Sequence, residues 1–144
     1  CKEFDANFVR VGAEWVCACG LTAALSYESL GGDRASPGSA FRTPLATLHA
    51  FQGWADQFLV TPDAGVRDVQ GRLSYPISRW RLQAVYHDFS AEDGRDGYGR
   101  ELDLAAARNL GERYELLVKS AYFDARQAGF TDTRKLWIML TAAW

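Results

Sequence analysis

The chain has 144 residues, with 16 Lys and Arg against 18 Asp and Glu and a net charge of −2. That length suits one domain with a sizeable core, and the near balance of charge removes nucleic acid as a default partner. No run approaches the about 18 consecutive apolar residues of a membrane helix, and no basic-plus-apolar leader opens the sequence, so an exported protein would be met here as a mature form or a part of one.

In chain order, period two dominates and period 3.6 is almost absent. Segments 5–16, 21–29, 67–77, 80–89, 98–109, 114–124 and 134–144 alternate, and each has about the 9 to 11 residues that a tilted strand needs to cross a bilayer. In 80–89, Trp80, Leu82, Ala84 and Tyr86 share one face while Arg81, Gln83, Val85 and His87 share the other. In 67–77, Val69, Gly71, Leu73 and Tyr75 oppose Asp68, Gln70, Arg72 and Ser74. The last segment puts Leu136, Ile138, Leu140, Ala142 and Trp144 together. One face is apolar and the other mixed and charged.

Alternation alone leaves two all-β readings open. In a soluble β-barrel or sandwich that binds a small apolar ligand the apolar face looks inward; in an antiparallel transmembrane β-barrel it looks outward to lipid. Connector length favours the second. VCACG, YPISRW and NLGER are tight, whereas residues 30–66, SAEDGRDGYG and DARQAGFTDT are long and rich in Gly and charge. Outer-membrane barrels alternate short periplasmic turns with long external loops in this way.

Aromatic placement agrees. Trp15, Tyr75, Trp80, Tyr114 and Trp144 fall at short-turn ends on the apolar parity, and Tyr27, Tyr86, Tyr98 and Tyr122 near the opposite ends. Two interfacial belts are the expectation, since an apolar ring with a polar tip suits the headgroup boundary. A terminal Trp144 resembles the signal by which barrel-assembly machinery reads the final strand. With the carboxy terminus on the short-turn side, seven strands put the amino terminus on the long-loop side. Bacterial single-chain barrels have even strand counts, so residues 1–144 read as the carboxy-terminal part of one larger barrel domain.

The segment 30–66 exceeds ordinary loop length and should carry structure or function. Leu45, Leu48, Trp54, Phe58 and Leu59 would line one face of a short helix after Pro44, ended by Pro62 and weakened by Gly53. Such a helix either packs on the barrel rim or folds over the pore as a constriction. Arg10, Glu14, Arg72, Arg81, Glu101, Asp103, Glu115, Lys119 and Lys135 share the polar parity and are the candidate pore lining. Arg72, Arg81 and Lys119, at mid-strand, are the first candidates for solute contact, while cross-strand pairing that holds the wall is the competing role.

Little points to catalysis. His49 and His87 are the two histidines, and in HDFS, residues 87–90, His87 and Ser90 alternate to opposite faces, so base and nucleophile diverge. No enzyme, cofactor or phosphate loop is expected. Cys1, Cys17 and Cys19 lack the further Cys or His ligands of a zinc site and read as incidental small residues, and a Cys17–Cys19 disulfide would close a very small, strained ring.

TPLATLHAFQGWADQF (43–58), LQAVYHDFSAE (82–92) and the closing DTRKLWIMLTAAW resemble the carboxy-terminal portion of the alginate-export family of outer-membrane barrels. The resemblance implies a polar-lumened barrel of about 16–18 strands, the porin range, in the bacterial outer membrane. It implies lipid and the assembly machinery as partners. It also implies passive transport or export of polar or anionic solutes, with an anionic polysaccharide such as alginate as cargo of the namesake members.

Overall fold

A computed structural model describes residues 7–42, 52–94 and 96–144. Seven strands form: β1 (Phe8–Val16), β2 (Thr22–Leu30), β3 (Val66–Ile77), β4 (Trp80–Ser90), β5 (Gly97–Leu110), β6 (Tyr114–Ala125) and β7 (Thr133–Ala142). They pair in chain order as one antiparallel sheet, with β1 and β7 as its edges. The all-β expectation holds, and every strand lies where the alternation put it, within a residue or two, apart from the earlier start expected at residue 5, which lies outside the described residues.

The turns explain the chain-order pairing. Residues 78 and 79 close the β3–β4 hairpin with Ser78 at φ 57°, the positive φ that matches a tight turn to the strands' twist. Residues 17–21 and 111–113 close the β1–β2 and β5–β6 hairpins. All three lie at one end of the sheet; the connectors 31–65, 91–96 and 126–132 lie at the other. There the first two are tied together: Glu92 and Asp93 N–H donate to Ala64 O and the Arg34 guanidinium to Asp96 Oδ2, while Gly38 N–H donates to Asp63 Oδ1 within the first.

Register fixes what each face carries. One continuous row runs Glu14, Ala24, Arg72, Val85, Asp103, Ala121, Lys135 across all seven strands. The neighbouring row on the opposite face runs Trp15, Ala23, Leu73, Ala84, Leu104, Ser120, Leu136. The usual burial is inverted. Large apolar residues of the second face stand open, Leu25 at 63%, Ile138 at 70% and Leu140 at 65% exposure among them, while Glu28, Asp68, His87, Glu101 and Asp103 of the first are buried.

The core is correspondingly displaced. Leu30, Val66, Phe89, Ala121 and Phe123, at the long-connector end of the polar face, pack with Tyr98 against Ala55 and Phe58 from the 31–65 connector.

Two expectations change. Leu45 and Leu48 of the expected helix lie outside the described residues, and its remainder, residues 52–60, forms turns. Gln52, Gly53 and Asp56 have φ of 52°, 81° and 61°, which a right-handed helix does not contain. Tyr98 also leaves its expected belt. The β4–β5 register slips beside Ser90, which faces Gly97 while Phe89 faces Gly99. Tyr98 is the extra residue of this bulge, and it is 3% exposed among Phe58, Phe89 and Phe123, with its hydroxyl donating to Gly65 O. The other expected belt residues on strands, Trp15, Tyr27, Tyr75, Trp80, Tyr86, Tyr114 and Tyr122, keep the apolar parity. Trp144 follows β7 and is fully exposed.

Candidate functional site

The polar face and residues 52–60 laid against it form the candidate site. Parity brings the carboxylates of β5 onto this face, where both turn to the connector: Asp103 Oδ2 accepts the Trp54 N–H at 3.2 Å and Glu101 Oε1 accepts the Ala55 N–H at 2.7 Å. Among the described residues their other oxygens, Glu101 Oε2 and Asp103 Oδ1, are buried without a donor. Gly53 makes this approach possible, because a Cβ there would lie 2.4 Å from Glu101 Oε2.

Side chains extend the seam on both sides. Gln52 Nε2 donates to Glu28 Oε1, Lys135 Nζ donates to Asp56 Oδ2 at 2.6 Å, and Gln57 Nε2 donates to Thr133 Oγ1 at 2.9 Å. Phe58 fills an aromatic socket, its ring centroid 4.5 Å from Phe89, 5.3 Å from Phe130 and 5.7 Å from Tyr98. The connector is therefore held by β2, β5 and β7 together, and Lys119 of β6 lies under it, 4.3 Å from the Trp54 ring and 4.9 Å from the Trp137 ring.

Beneath the seam, His87 Nδ1 meets Asp68 Oδ2 at 2.8 Å, and its Nε2 faces Asp103 Oδ2 at 3.8 Å. The ring stacks on Phe89 at 5.2 Å. Among the described residues no hydroxyl or thiol is bonded to this imidazole, and no group of three or more His, Cys, Asp or Glu is arranged to hold a metal. His49 lies outside the described residues.

The structure puts all nine candidate lining residues on the polar face. Arg72 pairs with Glu14 at 2.5 Å and Arg81 with Glu115 at 2.5 Å. Each pair skips the strand between, reaching over β2 beside Ala24 and over β5 beside Ala107, small residues that leave the path clear. Arg10 lies 3.7 Å from Glu28, its direct cross-strand partner. The three cations first in line for solute contact are thus engaged with carboxylates or indoles. Comparison with protein-family models, with curated protein sequences and with solved structures finds no match.

Sequence alternation puts Glu28, Asp68 and His87 on the polar face with the candidate lining, but parity does not show that a distant segment and the neighbouring strands bury them. Gln52 and Asp56 carry no periodic signal, because they belong to a segment whose contacts are all distant in sequence. The assembly is a wall of paired charges with residues 52–60 held against it on buried carboxylates.

Proposed function

We propose that the chain is the carboxy-terminal part of a bacterial outer-membrane β-barrel of about 16–18 strands, a passive channel whose polar face lines the lumen and whose apolar face meets lipid. The observation that carries this reading is the inverted burial of the sheet: charge inside, Leu, Ile and Val outside. A soluble barrel or sandwich would bury that apolar face instead.

The distribution of outward charge supports a membrane band. On β5 the outward charged residues are Arg100 and Arg108, near its ends, with Leu102, Leu104 and Ala106 between them. Eight residues at about 3.4 Å each span about 27 Å along the strand, or about 20 Å of height at a tilt near 40°. That is close to the apolar band of about 25 Å on such barrels. Tyr86 and Tyr122 lie in the row next to Arg100 on the band's side, where a headgroup belt belongs.

In this reading residues 52–60 are an inward constriction rather than a rim ornament. The solute is polar or anionic, and an anionic polysaccharide is the cargo that the alginate-export resemblance suggests. The wall's paired arginines give both signs of charge, so a small anion preference would come from balance rather than from a single-sign ring.

The test is conductance of the complete barrel in a planar bilayer, with and without Arg72→Gln, Arg81→Gln and Lys119→Gln combined. Removing the arginines frees Glu14 and Glu115, so the reversal potential in a salt gradient should move toward cation selectivity. The shift should shrink at high salt, since the screening length is about 10 Å at 0.1 M and about 3 Å at 1 M. Absence of any conductance in the unmodified barrel would overturn the channel reading. An unchanged reversal potential would instead assign these three residues to the wall alone.

A further inference from the structure

The β1–β2 turn carries two thiols that the channel reading does not use. Cys17 N–H donates to Leu21 O at 2.8 Å and Gly20 N–H to Cys17 O at 2.9 Å, closing a tight turn on Gly20 at φ 88°. A Cβ on Gly20 would lie 3.2 Å from Pro76 Cγ, so the turn sits against the end of β3. Within this frame the Cys19 N–H donates to Cys17 Sγ at 3.3 Å, which folds the Cys17 sulfur back over residue 19. Both sulfurs are free, and Cys19 is exposed.

We propose that Cys17 and Cys19 form a two-thiolate site for a soft monovalent d10 cation of the Cu(I) and Ag(I) class. Paired thiolates prefer such ions, which accept two ligands in line. Zinc needs about four ligands, and the described residues supply no third Cys, His or carboxylate to this turn. Binding balances as two S–H bonds exchanged for two S–metal bonds, with two protons released to water and no change of oxidation state when the ion arrives as Cu(I). The site is independent of what the barrel conducts.

The experiment uses the reduced chain in detergent micelles without oxygen, titrated with Cu(I) against a chromogenic Cu(I) chelator. One Cu(I) per chain should be withheld from the chelator. Cys17→Ser and Cys19→Ser should each weaken retention by about tenfold or more, as loss of one of two thiolates requires, while Cys1→Ser leaves it unchanged. Far-UV circular dichroism on the same samples checks that the strands persist, and X-ray absorption at the copper edge should give two sulfur neighbours. Retention that survives the double Cys17→Ser, Cys19→Ser variant, or that disappears in Cys1→Ser, overturns the proposal. So does recovery of the turn as a disulfide that reduction does not convert into a copper-binding form.

Discussion

Leu104 sits on the interior strand β5 between Ala84 and Ser120, 40% exposed, on the face opposite Asp103. In water an exposed leucine is dispensable, so Leu104→Arg should be neutral or should improve solubility. Facing lipid near mid-bilayer, the same change should cost about 2 to 4 kcal/mol. We expect the lipid result, measured by reversible denaturant unfolding in detergent or vesicles. The contrast with Tyr98 marks how far single residues are legible from pattern. Parity assigns both Leu104 and Tyr98 outward, and for Leu104 that holds. For Tyr98 the bulge at Ser90 reverses it, because one extra residue breaks the alternation on which the assignment rests. The flanking Gly97 and Gly99 were a local cue to irregular backbone.

At the scale of elements, the strands and the segment 52–60 are legible to different degrees for one physical reason. Each strand's period-two pattern is local, and the alternating connector lengths force neighbours in sequence to pair. The segment is held by Glu28, Glu101, Asp103, Thr133, Lys135 and the Phe89–Tyr98–Phe130 socket, contacts with no sequence period. Its apolar residues suggested a helical stripe, yet Phe58 is an anchor and Gly53 is there for close approach to Glu101. Phe58→Ala removes a buried ring, a change that costs about 3 to 5 kcal/mol in a core. Since the seven-stranded ladder does not depend on it, that loss should fall on the segment. Amide exchange across 52–60 should accelerate while β3 to β6 stay protected, and single-channel conductance of the complete barrel should rise as the proposed constriction loosens. Faster exchange with unchanged conductance would remove the segment from the permeation path.

For the whole molecule, the proposed orientation makes the long connectors external and the tight turns periplasmic. Ala35, in the exposed part of the 31–65 connector, and Asn109, beside the β5–β6 turn, report on it. In cells making the complete barrel, with Cys1, Cys17 and Cys19 replaced by Ser, a membrane-impermeant maleimide should label Ala35→Cys on intact cells. It should label Asn109→Cys only after the outer membrane is opened. Labelling of Asn109→Cys alone on intact cells would invert the orientation.

The account depends most on which face of the sheet meets lipid, and β6 offers the cleanest test, since Leu116, Val118 and Ser120 share one face and Leu117, Lys119 and Ala121 the other. Cysteines introduced one at a time at residues 116–121 in the same thiol-free background, each carrying an environment-sensitive fluorophore, can be reconstituted into vesicles of brominated phospholipid. The account predicts quenching by the lipid at 116, 118 and 120 and little at 117, 119 and 121, a period of two along the strand. Quenching without that alternation, or its appearance at the odd positions, would contradict it.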